Sequence, residues 1–315
     1  MLDLHRLRLL RELKHRGTLA AVAEALSYSP SSISQQLSVL EREAGVPLLE
    51  PVGRRVRLTP QAEILVAHTE AVLERLERAE ADLAASLAGL TGTLRVAAFQ
   101  TAALALVPDA LGLLAEAHPR LRVEVTQCEP ESALPALLAR DFDVAVTEEY
   151  QDEPTPRPDG IEYADLGEDE MRLALPGPPA VSEDPSGALA AAAGLPWVME
   201  PAGTASRRWA TRLCRNAGFE PDVRYESTDL LLHLRLVERG HAAALLPDLV
   251  WTGGAPAVRL VRLPRGRGAG HVRRLFTATR RGSGAHPAVR AWCEALARPL
   301  RERPQGTLKE FAGGG

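Results

Sequence analysis

The sequence predicts a multi-domain protein in which a small all-α N-terminal unit is joined by one long helix to a larger α/β part. Three observations lead there. The chain has 315 residues, more than one hydrophobic core usually organises. Its apolar periodicity is helical up to about residue 90 and switches at Thr93 to short runs that alternate between strand and helix. The charge is also divided unevenly. The first 60 residues carry nine Arg or Lys against six Asp or Glu, a net +3, whereas the whole chain is at −4. A basic module on an acidic body fits a protein of which one part meets a polyanion.

The first 45 residues read as three short helices. Leu7, Leu10 and Leu13 share a face of a helix that stops at Gly17, and Thr18 caps a second helix running to Leu26. Ser29 and Pro30 are a cap and a first helical residue. Ile33, Leu37, Leu40 and Ala44 then line one face until Gly45. Residues 52–58 read as two extended pieces around a basic turn. Thr59-Pro60 repeats the start signal for a long helix. Its heptad seam is expected at Leu65, Val72 and Ala79 on one position, and at Thr69, Leu76, Leu83 and Leu90 on the other.

Beyond Gly92, residues 94–98 and 121–125 are expected strands flanking a helix over 104–117, a βαβ unit. A helix over 133–139 and a strand over 142–146 follow, then a Pro-rich acidic loop at 151–160. A second set comprises strands at 171–175, 196–199, 223–225 and 242–246, with helices over 206–216 and 229–238. A late strand at 272–279 and a helix at 286–300 close the fold. The tail 303–315, ending in three glycines, is expected to be flexible.

Several function classes find no support. No apolar run approaches the roughly 20 residues of a membrane helix, and the first 17 residues are too charged for a signal-peptide core, so a soluble cytoplasmic protein is expected. Cys128, Cys214 and Cys293 are far apart, with no CxxC or His/Cys cluster for a metal, which fits a reducing compartment; Cys128 and Cys214 read as plain small side chains, a redox-sensing thiol being the alternative. His68, His118, His233 and His241 share no ligand spacing. There is no GxSxG, P-loop, GxGxxG or HExxH, so neither an enzyme nor a cofactor is expected.

The first 60 residues carry the chemistry. A third helix whose outer face holds Ser31, Gln35, Ser38 and Arg42, followed by a basic hairpin, reads as a winged helix-turn-helix. Short Ser and Gln side chains near a helix start can reach base edges in the major groove. Long cations at the flanks can neutralise phosphates. The expected DNA contacts are Ser29, Ser31, Ser32, Ser34, Gln35, Ser38, Arg42, Arg54, Arg55 and Arg57. The alternative for these residues alone is a solvated three-helix bundle with an ordinary polar face.

At these residues the chain resembles the LysR-type transcriptional regulators of bacteria. The match runs through Gly17-Thr18, Ala21, Ala23 and Leu26, then Ser29-Pro-Ser-Ser-Ile-Ser34, Leu37, Leu40-Glu41, Gly45-Val-Pro-Leu-Leu49 and Leu58-Thr59-Pro60. It continues to about Leu300, with Asp141-Phe-Asp143, Ala217-Gly-Phe219 and 237–247 as landmarks. Pro51, Leu49 and Ala62 stand where the family usually has Arg, Phe and Gly. The resemblance implies a winged helix-turn-helix domain over 1–59 and a linker helix over 60–90 that pairs in a homodimer, with the dimers free to pair again into a homotetramer. It also implies a periplasmic-binding-protein-like effector domain over 91–302, with subdomain I at about 91–164 and 269–302 and subdomain II at about 165–268. Double-stranded DNA and a small-molecule effector are the implied partners, and no membrane is. The rival is a solute-binding protein or enzyme carrying an incidental N-terminal helical bundle.

In open α/β sheets ligands sit at the C-terminal ends of strands, where helix starts offer free N–H groups. The expected effector contacts are therefore Gln100, Thr101 and Ala102 after the first strand, Gly203 and Thr204 after a later one, and Ser227 and Thr228 before the helix at Asp229. Helix capping is the alternative role for these polar residues. Arg207 and Arg208 favour a carboxylate ligand, while Glu200, Glu226 and Asp229 argue the other way, so the ligand's charge stays open.

Overall fold

The computed structural model describes residues 1–302 apart from 27, 54, 88, 154–156, 179, 183–186, 252–256 and 264–270, with the backbone alone at 55, 181 and 182. The expected flexible tail at 303–315 lies outside the described residues.

Three helices form the N-terminal unit: α1 (Leu4–Arg16), α2 (Leu19–Ala25) and α3 (Pro30–Ala44). Each starts on a side-chain oxygen that satisfies a free helix N–H. Asp3 accepts from Arg6 N, Thr18 from Ala21 N and Ser29 from Ser32 N. Gly17 and Gly45 end two of them in the left-handed conformation. Leu9, Leu10, Leu13, Val22, Ile33, Leu37, Leu40 and Leu48 make the core. Two short strands, β1 (Leu49–Val52) and β2 (Arg55–Leu58), pair antiparallel as the wing. The Glu41 carboxylate accepts from Leu48 N at 2.9 Å and Leu49 N at 3.1 Å, fixing how the chain enters it. Leu49 packs against the core in the place of the family's Phe, and Ala62 is fully buried in that of its Gly.

The long helix α4 (Pro60–Ala85) starts on Thr59, whose side chain accepts from Ala62 N. It is buried on one face at Ala62, Val66, Thr69, Leu73, Glu77 and Ala81. Its outward apolar residues differ in part from the expected seam. Ile64, Val72, Leu76, Leu83 and the following Leu87 are exposed, Leu83 at 68% and Leu87 at 64%. Thr69 instead faces inward and donates to Leu65 O, Leu65 packs on the N-terminal core, and Leu90 packs on the C-terminal core. The stripe thus runs from Ile64 in place of Leu65 to Leu87 in place of Leu90, because the chain's own domains claim the neighbouring face.

The C-terminal part begins with β3 (Gly92–Ala98), α5 (Gln100–Ala105), α6 (Val107–Ala117), β4 (Leu121–Gln127), α7 (Pro130–Leu138) and β5 (Val144–Tyr150). These strands run parallel, in the expected βαβ arrangement. A 15-residue strand, β6 (Ile161–Leu175), then leads away, starting ten residues earlier than the apolar run at 171–175 indicates. The remaining elements are β7 (Ala180–Ser182), α8 (Ala188–Ala191), β8 (Pro196–Met199), α9 (Ala205–Asn216), β9 (Asp222–Glu226), α10 (Leu230–Glu238), β10 (Ala244–Pro247), β11 (Arg259–Arg262), β12 (Val272–Arg280) and α11 (Pro287–Glu302).

One strand ties two α/β layers together. β6 pairs with β12 over Ile161–Glu170, extending the order β4-β3-β5-β12-β6. Its last five residues pair instead with β10 on one side and β11 on the other. The parallel pair β8–β9 joins this second layer through the Trp197–Ala243 bridge. Val96, Leu106, Leu114, Trp292 and Leu296 belong to the core of the first layer, and Trp197, Trp209, Leu213 and Met171 to that of the second. The C-terminal ends of β3, β4 and β5 therefore meet those of β8 and β9 across a cleft.

Candidate DNA-binding surface and ligand cleft

The exposed face of α3 carries the residues expected there. Ser31, Ser34, Gln35, Ser38 and Arg42 are all exposed, and Ser32 is half-buried, its backbone N–H held by Ser29. Ser29 and Ser31 share a 2.9 Å hydroxyl contact at the helix start. Behind them Arg6 grips Glu43 at 2.6 Å and reaches Gln36 at 3.3 Å, which fixes α3 against α1 without using the outer face. On the wing, Arg57 is 2.9 Å from Glu50, its cross-strand partner. Arg54 and the Arg55 side chain lie outside the described residues. Pro51 is exposed opposite Val56. Whatever polyanion meets this face therefore finds a helix start rich in short polar groups, with Arg42 and Arg57 at its margins.

Gln100 spans the cleft. Gln100, at the start of α5, donates from Nε2 to Asp229 Oδ1 at 2.6 Å and accepts on Oε1 from Leu230 N at 2.7 Å. It thus satisfies a free N–H of α10 and holds the two layers face to face. The bond from Gln100 holds the Asp229 carboxyl below the usual range. Thr101 and Ala102 are fully buried rather than open to the cleft. Thr204 caps α9, accepting from Arg207 N at 3.2 Å and donating to Pro201 O at 3.1 Å. Gly203 and Thr228 are exposed, while Ser227 accepts from Asp229 N. The capping role is therefore realised at Thr204, whereas α10 is capped by Asp229 and Ser227 only supports that cap residue.

Sequence reasoning missed the group on which Thr101 rests. Arg273 of β12 is 1% exposed, donates from Nη2 to Thr101 Oγ1 at 2.5 Å, and lies 5.1 Å from the Phe99 ring centre. It pairs with Asp169 at 2.7 Å and Glu148 at 2.5 Å. Burial opposes its charge, but these carboxylates outweigh that and hold its pKa above the ordinary value. The available signal was a charged residue at an inward strand position, in line with Leu275 and Thr277.

Carboxyl groups crowd around this cation. Burial, and then the neighbouring Glu148, push Glu129 up to about 7 and Glu200 up to about 8. Burial pushes Asp169 up to about 6 despite its partner. The two arginines expected to welcome a carboxylate are both engaged. Arg207 donates to Glu226 and to Glu200 O at 2.8 Å, and Arg208 to Glu153 at 2.9 Å and Gly203 O at 2.7 Å.

Burial holds the thiols back from ionising. Cys214 is fully buried, its thiol pushed up to about 12 by burial, and burial raises Cys128 and Cys293 as well. Among the described residues no three His, Cys, Asp or Glu side chains gather as metal ligands, and no helix is long and apolar enough to cross a membrane.

Comparison with known proteins matches residues 4–63 to the bacterial regulatory helix-turn-helix protein model of the lysR family, and residues 87–301 to the LysR substrate binding domain. The transcriptional dual regulator GltC of Bacillus subtilis is 26% identical over 255 residues, covering 81% of this chain and 84% of GltC. A probable hydrogen peroxide-inducible genes activator of Mycobacterium xenopi is 37% identical over 135 residues, 43% of this chain and 70% of that protein. Among solved structures, full-length OxyR from Pseudomonas aeruginosa superposes with a TM-score of 0.64 at 20% identity, covering 96% of this chain and 99% of that one. The LysR family regulator CbnR in complex with its target DNA gives 0.51 at 23% identity, over 95% and 100%. At these identities the structures speak for the fold.

Proposed function

The chain belongs to the LysR family of bacterial transcriptional regulators, and from that premise we propose which of its residues read DNA and where its effector enters. As a member it is a DNA-binding regulator with a C-terminal effector domain, and it works as an oligomer on double-stranded DNA. The reading assigns 1–59 to DNA binding, 60–90 to dimerisation and 91–302 to effector sensing in two subdomains. Ser29, Ser31, Ser32, Ser34, Gln35 and Ser38 reach base edges and the nearest backbone. Arg42, Arg54, Arg55 and Arg57 hold phosphates. The protein acts in the cytoplasm, as a regulator and not as an enzyme.

The observation that carries the effector reading is the Gln100 bridge to α10. A side chain that satisfies a helix N-terminus across a cleft marks the place where a ligand can compete for the same N–H group and so bias the arrangement of the two layers. The effector lies beside Gln100, Gly203, Thr204, Ser227 and Thr228, with Thr101 and Ala102 forming the wall behind them. Four carboxyl groups (Glu129, Glu148, Asp169 and Glu200) outnumber Arg273 there, which favours a ligand that brings positive charge or hydrogen-bond donors. Although some relatives are named for hydrogen peroxide, the full burial of Cys214 and the raised pKa of all three thiols favour a bound metabolite over thiol oxidation.

The test has two steps. DNA retained by the purified protein is sequenced to define the operator. Operator affinity is then measured with and without candidate metabolites for the parent, Thr204→Val and Thr101→Val. The expected result is a response lost in Thr204→Val with basal operator binding kept. Thr101→Val also removes the acceptor of a buried guanidinium, so it should blunt the response and lower stability together. An effector response unchanged in both variants would move the entry point of the signal elsewhere.

A further inference from the structure

A cavity of about 230 Å³ opens where α1, α4 and the ends of α7 and β12 meet, far in sequence from the cleft loops. Four arginines line it: Arg11 of α1, Arg140 after α7, Arg280 at the end of β12 and, at the rim, Arg281. One buried carboxylate, Glu77 of α4, serves two of them, at 2.6 Å from Arg280 and 2.9 Å from Arg140. Arg280 is otherwise satisfied by the Leu137 and Phe142 carbonyls and by Asp143 at 3.3 Å.

Arg11 is not satisfied. It is 6% exposed and donates from Nη1 to Glu12 at 3.0 Å, but its buried Nε has no acceptor within reach among the described residues. Burial depresses its pKa; Glu12 and Glu70 oppose that, and Arg140 and Arg280 add to it. A buried donor beside like charges is costly until an acceptor completes it. Arg140 sits at φ 70, a left-handed conformation that residues with side chains rarely adopt, and its pairing with Glu77 holds its guanidinium at the cavity.

The other charged lining groups are occupied or peripheral. Glu70 faces His15 at 3.4 Å and Glu74 is paired with Arg78, while Asp159 and Arg281 stand at the exposed rim. Ala67, Ala71, Leu73 and Gly160 complete the walls. The deep, incompletely satisfied group is therefore a donor, Arg11 Nε. The space exceeds the roughly 30 Å³ share of one water and falls below the roughly 300 Å³ of ordinary metabolite pockets.

We propose that this junction is a second ligand site, which takes a small oxyanion of carboxylate or phosphate type on Arg11 and Arg140 and, when filled, fastens the effector domain to the DNA-binding domain and the linker helix. The site is independent of the cleft and does not rest on the cleft reading. It would let the concentration of a common anion set how firmly the two functional ends are coupled, since a ligand bound only by the docked form favours that form by mass action.

The experiment titrates the full-length protein by calorimetry with inorganic phosphate and, separately, with acetate and succinate, at ionic strength held constant with chloride. Arg11→Met removes the donor, and Ala71→Leu fills the cavity while leaving every charge in place. Thr204→Val serves as the cleft control. Saturable binding of one anion class is expected in the parent and in Thr204→Val, weakened about tenfold or more in Arg11→Met and Ala71→Leu. The arm that saturates identifies the anion, and Ala71→Leu decides the matter if Arg11→Met fails to fold. Absence of saturable binding by any of the three anions, binding unchanged in Ala71→Leu, or binding lost in Thr204→Val overturns the proposal.

Discussion

Gln100 and Asp229 belong to different α/β layers, 129 residues apart in sequence, yet their side chains meet at 2.6 Å and close the cleft. The same carboxamide accepts from Leu230 N at 2.7 Å, so one residue both bridges the layers and completes a helix start.

Removing that bridge should open the cleft. Each hydrogen bond contributes roughly 1 kcal/mol net, so Gln100→Ala should shift the balance toward the open form by about fivefold or more. The direct readout is amide exchange at Leu230, whose acceptor disappears. Exchange should quicken there and stay constant at Leu232, which bonds to Asp229 O within its own layer. Equal protection of Leu230 in parent and variant would mean that the bridge does not hold the layers.

The effector domain reaches the linker helix through an equally specific approach. A Cβ added at Gly282 would lie 2.8 Å from Glu74 O of α4, and the residue's φ of +90 disfavours any side chain. Gly282→Ala should therefore lift the turn at Ser283–Ala285 off α4 and weaken the buried Glu77–Arg280 pair behind it. We expect a stability loss of about 1–3 kcal/mol from strain alone, and a larger radius of gyration in solution scattering. A variant with the parent's scattering profile and unfolding midpoint would show that the contact is loose.

The exposed stripe on α4 makes a prediction about assembly. Ile64, Val72, Leu76, Leu83 and Leu87 form an apolar seam that a two-fold partner can cover. Leu76→Asp combined with Leu83→Asp should yield monomers, and these should lose affinity for a palindromic operator because the two half-sites no longer bind as one unit. Sedimentation of the double variant at the parent's rate would exclude this seam as the dimer interface.

Those exposed positions also show what the sequence could and could not disclose. The helix starts were legible because their signal is local: Thr18, Ser29 and Thr59 each sit three residues before the N–H they satisfy. The strand β6 was legible only at Met171–Leu175, since its first ten residues include Glu162, Asp165, Glu168, Asp169 and Glu170 and carry no apolar run. Their ladder comes from β12, about a hundred residues later. Asp169 and Arg273 each look like surface charge alone and become a buried pair only when those strands align. The inner face of α4 was hidden for the same reason: Thr69 turns inward because the chain's own domains, and not heptad spacing, decide which face is covered. At the cleft, Gln100 was legible as polar residue at a strand end, whereas its partner on α10 required the fold.

Base reading and phosphate holding should separate on the N-terminal domain. Gln35 is exposed on the outer face of α3, so Gln35→Ala should relax specificity between operator and random DNA by about 1–3 kcal/mol, the worth of a bidentate base contact. Arg57 is exposed and paired with Glu50, a partner that a phosphate can replace. Arg57→Ala should weaken binding to all sequences alike and lower the slope of log affinity against log salt by roughly one unit. Electrophoretic or fluorescence titrations at several salt concentrations measure both effects. If neither variant differs from the parent on either DNA, α3 and the wing do not face the duplex as assigned.

The acid-rich cleft gives the protein a dependence on pH. Burial and the nearby Glu148 raise Glu200 from its ordinary 4.5 to about 8, so the folded state keeps a proton that the unfolded chain has released. By linkage, the stabilisation is fully present below 4.5 and declines as pH rises toward about 8, beyond which the group adds no further slope. Glu129, raised to about 7 by the same causes, acts in the same direction over a narrower range. Glu200→Gln keeps the shape of the side chain and removes its titration. The variant should lose less stability than the parent between pH 4.5 and about 8, with the residual slope due largely to Glu129 and Asp169. Urea unfolding midpoints at the two ends of that range measure the difference. Parallel pH profiles for parent and variant would place the Glu200 carboxyl in water rather than at the wall of the cleft. If the slope does flatten, the same proton becomes a reporter of the ligand. A cationic effector should expel it on binding, and calorimetry in buffers of different ionisation enthalpy would then register proton release in the parent and less of it in Glu200→Gln.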